Sequence, residues 1–231
     1  MINNSYGAYD SIKPDTNEQW IRISEGCPNH CPFCKEPEEQ KIFQIPPITR
    51  NSVKIMDMNF LSKEGALERI RELGSKKVYD KVVYYELVCG VDYRFLTREI
   101  ADALKQNRFI RMRLAWDWEY SRQWKIKRTV DMLLKAGYAR KELMVFMICN
   151  WKIPLAECMK KLNLCKYWNV KVSDCYFDGQ VMPNVKPLFW SAEQLKEFRH
   201  EVRKHNQMVL FGLDPELHEM EDKLFRWFDA Y

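Results

Sequence analysis

Three cysteines lie close together near the N-terminus, in the stretch SEGCPNHCPFC at residues 24–34. Cys27, Cys31 and Cys34 have the spacing C-x3-C-x2-C, and Phe33 precedes the last of them. Clustered thiols in a reducing compartment bind metal or carry out redox chemistry more often than they form disulfides. Iron–sulfur clusters ordinarily use four cysteines. Three thiolates on a four-iron cluster leave one iron open to a substrate or cofactor, and therefore predict catalysis.

Other candidate metal ligands do not form a second compact group. His30 lies inside the stretch, but structural zinc usually needs four ligands in two closely spaced pairs, and no second C-x-x-C follows. The other five cysteines are scattered along the chain: Cys89, Cys149, Cys158, Cys165 and Cys175. We therefore predict one cluster and no auxiliary one. A non-catalytic zinc or iron–sulfur module that recruits a partner is the alternative.

Composition predicts a folded protein. The 231 residues are 46% hydrophobic and 30% charged, which is enough apolar material for a sizeable core. The net charge of +5 is weakly compatible with a nucleic-acid partner, although the basic group at residues 125–128 also suits a solvated helix surface. The longest apolar run, residues 143–149, is too short to span a bilayer, and the N-terminus has no signal-peptide core. We expect a cytoplasmic protein with no membrane partner.

Apolar runs alternate with segments of helical period. Strands are predicted at 20–24, 53–58, 81–89, 110–116, 143–149 and 168–175. Helices are predicted at 62–74, 96–106, before Gly137, from Pro154, and at 191–204, where Ser191 and Gln194 have capping-box spacing. Strands that alternate with helices imply parallel pairing. The predicted fold is α/β, a partial (β/α)6 TIM-like barrel of parallel strands.

This order of elements predicts three regions along the chain. Residues 1–19 form a polar N-terminal extension, residues 20–206 form the partial barrel, and residues 207–231 form a C-terminal strand and short helix that pack on the barrel. Chemistry in such barrels takes place at the C-terminal ends of the strands. Cys27 follows the first strand directly, so the cysteine stretch is expected at that end.

The three cysteines, with an aromatic before the last and a strand before the first, resemble the signature of the radical S-adenosylmethionine (radical SAM) superfamily. The resemblance extends over residues 20–206 in the order of elements. It implies that Cys27, Cys31 and Cys34 ligate three irons of a [4Fe–4S] cluster, while S-adenosylmethionine chelates the fourth. An external one-electron reductant of flavodoxin or ferredoxin type would start reductive cleavage of S-adenosylmethionine. The resulting radical would abstract hydrogen from a substrate, either nucleic acid or nucleotide-like, or a peptide or small metabolite.

The resemblance also assigns expected roles around S-adenosylmethionine. Phe33 is expected near the adenine. Many family members carry a Gly-Gly-Glu motif after the second strand, where this chain reads MDMN, so Asp57 and Asn59 become the candidates for the amino group. Helix capping is the alternative for both.

The third, fourth and fifth strands supply four more candidates. Period-2 alternation places Arg113 and Asp117 on the polar face of the fourth strand, where Arg113 is a candidate for the carboxylate and Asp117 for the ribose. A structural Arg–Asp pair is the alternative. Asn150 follows the fifth strand and is a candidate for the adenine, with turn chemistry as its alternative. Glu86 on the third strand is either a contact to substrate or cofactor, or a hydrogen-bonded interior carboxylate.

Overall fold

The computed structural model describes residues 9–12, 16–34, 36–117, 120–149, 153–176 and 190–212. The described residues up to Ala115, with Thr129–Tyr138, form one compact unit. The described residues of Trp116–Arg128, with those from Ala139 onward, form a second compact unit. The predicted boundaries at residues 19/20 and 206/207 are a different division of the chain and stay predictions.

The first unit contains a four-stranded sheet. Its strands are β1 (Tyr9–Ile12), β2 (Glu18–Arg22), β5 (Ser52–Ile55) and β8 (Tyr84–Leu87), in the order β1-β2-β5-β8. β1 is antiparallel to β2, whereas β2, β5 and β8 are parallel to one another. The C-terminal ends of these three strands therefore lie along one edge of the sheet.

The remaining elements of the first unit are short strands and two helices. They are β3 (Ser24–Glu25), β4 (Lys41–Ile42), β6 (Lys77–Val78), β7 (Lys81–Val82), β9 (Met112–Ala115), α1 (Ala66–Ser75) and α2 (Arg98–Gln106). β3 and β4 pair antiparallel, as do β6 and β7. Isolated parallel bridges, Tyr85 with Phe109 and Val91 with Leu114, connect the β8 and β9 segments.

One face of the sheet in the first unit is apolar and forms the core. Ile21, Val53, Ile55 and Tyr85 are fully buried, and the Tyr85 hydroxyl donates to the carbonyl of Leu73 in α1 at 2.6 Å. The alternation of side chains along each strand puts the next residues on the opposite face. That second face is polar and is described with the candidate site.

The second unit contains two parallel strands and two helices. β10 (Leu143–Cys149) pairs with β11 (Lys171–Tyr176) from Met144–Lys171 to Cys149–Tyr176. Helix α4 (Leu155–Tyr167) packs on both strands, and α5 (Ala192–Phe211) packs on β11. Helix α3 (Gln123–Lys135) begins among the residues of the second unit and ends among those of the first.

Several predicted features are present. The α/β class and the parallel pairing are confirmed, and β10 has the predicted bounds. The capping box of Ser191 and Gln194 is also confirmed. The strands of the described residues do not close into a barrel, so the partial barrel stays a prediction. No helix among the described residues has the length and apolar character to span a membrane.

The predicted C-terminal strand is wrong where the structure describes it. Residues 207–211 continue helix α5 to Phe211. The run MVLFG is apolar enough for a strand, but Val209 extends the helical series of Phe198, Val202 and His205, which are all buried. Because these side chains are buried together on one helical face, residues 207–211 are helical and do not form a strand. The rest of the predicted C-terminal segment lies outside the described residues.

Candidate functional site

The three clustered cysteines lie in the connection of a small β-hairpin. Strand β3 leads into the connection, and β4 returns from it with the pairs Ser24–Ile42 and Glu25–Lys41. Gly26 has a φ of 86°, and a Cβ built there would lie 2.1 Å from the carbonyl oxygen of Glu39. Only glycine fits this close approach of two backbone segments. The cysteine loop, residues 26–40, is thus closed at its base.

Backbone contacts fix the conformation of the cysteine loop. The Cys27 N–H donates to the Pro37 carbonyl at 2.8 Å, and the Cys34 N–H donates to the Cys31 carbonyl at 2.9 Å. The Gly26 N–H donates to Glu36 Oε1 at 2.8 Å, and the same carboxylate pairs with Arg22 at the end of β2. The loop is therefore positioned by the strand that precedes it.

None of the three thiols is in a disulfide, and all three are half-buried. Cys34 Sγ accepts from the Glu36 N–H at 3.4 Å. The buried Lys63 donates its ammonium to the Gly26 carbonyl, directly before Cys27. Burial lowers the pKa of Lys63, and the nearby Cys27 acts against that effect. Lys63 thus holds the backbone directly before Cys27.

Asn59 brings the loop after β5 to the cysteine loop. Its Nδ2 lies 3.5 Å from Cys27 Sγ and 3.4 Å from Asp92 Oδ2. The residue is 9% exposed and has a φ of 50°, a left-handed conformation that asparagine tolerates better than most residues. Its Oδ1 is buried and accepts no hydrogen bond from any described residue. Asn59 therefore lies beside the cysteine loop, and its predicted contact with an amino group stays a prediction.

Asp92 brings the loop after β8 to the same place. It accepts from Asn29 Nδ2 at 2.8 Å and forms a bidentate pair with Arg94, at 2.9 Å from Nε and 2.6 Å from Nη2. Burial alone would raise the pKa of Asp92, but the hydrogen bonds from Arg94 and Asn29 bring it below its ordinary value. Loops from three neighbouring strands thus meet at the thiols.

Asp57 is buried behind the site. Its Oδ1 accepts from the Ile23 N–H at 2.8 Å, and its Oδ2 accepts from Ser24 Oγ at 2.5 Å. Burial raises the pKa of Asp57 to about 6. Both oxygens are engaged with the segment that leads into the cysteine loop. Asp57 therefore supports that loop, a role that differs from the predicted contact to an amino group and from helix capping.

Arg113, on β9, belongs to an ion-pair cluster with residues of β5 and β8. Glu86, which is 2% exposed, pairs with Lys54 and Arg113, and its Oε2 lies 3.5 Å from Arg111. The predicted alternation is confirmed, because Met112 and Leu114 are buried while the arginines are not. Arg113 thus has an anionic partner inside the protein, and Glu86 is an interior carboxylate with cationic neighbours.

Asp117 belongs to the second unit, where its environment includes a buried lysine. Lys161 is fully buried, with Nζ 3.4 Å from the Trp116 carbonyl and 3.9 Å from Glu157 Oε1. Burial lowers the pKa of Lys161, whereas Cys158, Glu157 and Asp117 act in the opposite direction. The charge near Asp117 comes from a lysine that sequence reasoning did not select.

The remaining candidates from the sequence are Phe33, Asn150 and His30. Phe33 is half-buried within the cysteine loop. Asn150 lies outside the described residues. His30 is exposed, and its Nδ1 lies 2.7 Å from Glu38 Oε1. The described residues contain no group of three or more His, Cys, Asp or Glu side chains already arranged to hold a metal ion.

Sequence reasoning missed Lys63, Glu36, Asp92 and Arg94. Asp92 had a detectable signal, since it follows the third predicted strand by three residues and polar groups at strand ends gather at one edge of a parallel sheet. Glu36 and Lys63 act on backbone groups of the cysteine loop, and their spacing from the cysteines carries no pattern. No protein-family model matches the chain, and no curated protein matches it either.

Proposed function

We propose that this chain is a cytoplasmic radical SAM enzyme with a partial barrel of parallel strands. One observation carries the proposal: three cysteines outside any disulfide, with C-x3-C-x2-C spacing, lie in a loop fixed by the ends of adjacent parallel strands. A reducing cytoplasm suits these thiols. An external one-electron donor of flavodoxin or ferredoxin type would serve as partner.

The donor set fits the group it would hold. Cys27, Cys31 and Cys34 would each ligate one iron of a [4Fe–4S] cluster, and no disulfide occupies these thiols. Asn59 Oδ1 is a buried acceptor without a donor from the described residues, and it belongs to the side chain that reaches Cys27. A buried acceptor of this kind is costly unless a ligand supplies a donor. The amino group of S-adenosylmethionine is such a donor.

The bound cluster supplies one electron that starts the reductive cleavage of S-adenosylmethionine. The chain's own residues have supporting tasks. Lys63 and Glu36 hold the loop backbone at Gly26, and Asn59 orients its amide toward Cys27. Asp92 fixes Asn29 within the cysteine loop. The protein thus keeps the iron ligands in place and offers an acceptor beside them.

A zinc or iron–sulfur interaction module is the second candidate function. The loop contains one histidine that could complete a zinc site, His30. Its side chain is 58% exposed and it is paired with Glu38, so zinc ligation would have to break this pair. Structural zinc sites are usually closed by four ligands. The observation therefore favours the open, three-thiolate cluster.

The test is anaerobic reconstitution with iron and sulfide, followed by reduction with dithionite. We expect a brown protein that converts S-adenosylmethionine to 5′-deoxyadenosine, measured by liquid chromatography and mass spectrometry. Cys27→Ala, Cys31→Ala and Cys34→Ala should each abolish cleavage. Cys89→Ala is the matched control, since Cys89 is also free and half-buried and its thiol donates to the Met56 carbonyl at 3.3 Å. A colourless zinc protein without cleavage would support the module instead.

A further inference from the structure

The first turns of helix α3 carry an exposed tryptophan. Trp124 is 70% exposed, although tryptophan is among the side chains that gain most from burial. The helix itself is anchored by another face, because Ile126, Val130 and Leu133 are fully buried. The indole of Trp124 is therefore not needed to hold the helix in the protein.

The residues around Trp124 are basic. The segment YSRQWKIKR, residues 120–128, has four cationic side chains and no carboxylate. Arg122, Lys125 and Arg128 are exposed. Lys127 and Arg128 follow Trp124 by three and four residues, the spacings that bring side chains together on a helix. The indole thus has basic neighbours on its own face.

The charge pattern at the start of α3 differs from that of the other helices. Acidic residues are favoured in the first turn of a helix and cations are disfavoured there, by about 0.3–1 kcal/mol each. Helices α1, α2, α4 and α5 each have a glutamate in the first turn, whereas α3 has no acid there and places Lys125 in it. An exposed indole gains nothing in the free protein, whereas a ligand that stacks on it and contacts the neighbouring cations would use both features.

We propose that the surface formed by Trp124, Lys127 and Arg128, the Trp124 surface, binds single-stranded nucleic acid. An unpaired base can stack on the exposed indole while the flanking phosphates meet the cations. A membrane surface would require a wider apolar face than one indole provides. Binding itself is independent of the cysteine loop. If the proposed enzyme activity also holds, single-stranded nucleic acid becomes the substrate class, and that step rests on the proposed function.

The experiment is fluorescence anisotropy with fluorescein-labelled oligo(U) RNA, oligo(dT) DNA of equal length, and an RNA duplex, at low and moderate salt. We expect the single strands to bind more tightly than the duplex, with affinity that falls steeply as salt rises. The two single strands share base and phosphate chemistry, and a preference for RNA would indicate contact with the 2′-hydroxyl.

Two variants of the Trp124 surface test base stacking and phosphate contact separately. Trp124→Ala should weaken binding about tenfold at every salt concentration, because it removes base stacking. Arg128→Gln should reduce the slope of log affinity against log salt by about one. Tyr79→Ala and Lys141→Gln are matched controls at exposed positions elsewhere, and should bind as the unmodified protein does.

Three outcomes would overturn the inference. They are no binding to either single strand at low salt, unchanged binding by Trp124→Ala, and equal affinity for the duplex. Anionic phosphatidylserine vesicles form a further arm, and Trp124-dependent binding to vesicles without binding to oligonucleotides would also overturn it. Cys27→Ala separates the two proposals, since it should bind oligonucleotides normally even though it cannot hold the cluster.

Discussion

Asn59 is the residue whose geometry is hardest to explain without a ligand. Its backbone is left-handed, its amide nitrogen contacts Cys27 and Asp92, and its carbonyl oxygen is buried without a donor from the described residues. Backbone strain and a buried acceptor that lacks a partner both lower stability. Such features occur where a structure is prepared for another molecule. Asn59 therefore tests the site more directly than Phe33 does.

Asn59→Gly should separate ligand binding from backbone strain. Glycine accepts the left-handed backbone, so the fold should persist while the amide is lost. We expect the affinity for S-adenosylmethionine to fall about tenfold, the worth of one hydrogen bond of this kind, with iron content unchanged. Asn51→Ala removes an amide next to the other end of β5, where Nδ2 donates to the Val82 carbonyl at 2.9 Å, and should leave the affinity intact. Equal affinity for Asn59→Gly and the unmodified protein would contradict the assignment.

Asp57 makes a prediction about pH. Burial raises its pKa from 3.8 to about 6 in the folded protein, so the folded state holds the proton more tightly than the unfolded chain does. Its contribution to stability is therefore greatest below pH 3.8 and declines as pH rises through about 6. Between pH 5 and pH 7.5 the loss amounts to roughly 1–2 kcal/mol.

Asp57→Asn should remove this dependence, because the amide has no charge to bury. Its oxygen can still accept from the Ile23 N–H, and its nitrogen can donate to Ser24 Oγ. Urea unfolding followed by circular dichroism should show the variant gaining roughly 1–2 kcal/mol relative to the unmodified protein between pH 5 and pH 7.5. Parallel pH profiles for the two proteins would mean that Asp57 is not the titrating group.

Single elements were predictable where one local rule determines them. Strand β10 has the predicted bounds because its apolar run is continuous, as expected for a strand buried on both faces. Pro154 comes just before helix α4 and Ser191 caps α5, because caps use local hydrogen bonds and backbone angles. The thiols of the candidate site were predictable for the same reason, since their spacing is short. Lys63 and Asp92 were not predictable from the sequence, because they reach the cysteine loop through tertiary contacts.

The C-terminal end of α5 shows how tertiary packing overrides a local pattern. The helix continues through a run that resembles a strand, since residue 205 contacts the backbone just before β11 and residue 206 binds the backbone of β11. His205 Nε2 lies 2.8 Å from the Val170 carbonyl. Asn206 Oδ1 accepts from the Val172 N–H at 2.8 Å, and its Nδ2 donates to the Val172 carbonyl at 2.7 Å. The amide of Asn206 thus pairs with β11 as a neighbouring strand would.

Asn206→Ala should destabilise the protein although alanine is the better helix former. The substitution leaves an N–H and a carbonyl of β11 without these partners, at a cost of about 1–3 kcal/mol. Gln207→Ala is the matched control, because Gln207 is exposed on the same helix. Urea unfolding should show the loss for position 206 only. Equal stability of the two variants would show that the contact with β11 contributes nothing.

At the scale of the whole molecule, the remaining cysteines differ chemically from the three in the loop. Cys149, Cys158 and Cys165 are fully buried in the second unit. Burial raises the pKa of Cys158 to about 12 and that of Cys165 further. Burial also raises the pKa of Cys89, in the first unit, to about 11. Iron is bound by thiolates, so thiols that resist ionisation are poor ligands.

The reconstituted chain should therefore contain about four irons, the content of one cubane cluster. Cys89→Ala and Cys149→Ala should leave iron and sulfide content unchanged, because burial raises the pKa of Cys89, Cys149 is fully buried, and neither lies in the cysteine loop. We expect the same of Cys175→Ala, whose side chain lies outside the described residues. Iron and acid-labile sulfide assays on each variant provide the measurement. About eight irons, reduced by any one of these substitutions, would reveal a second cluster. The candidate site would then extend beyond the cysteine loop, and the buried thiols of this chain would need a conformation that exposes them.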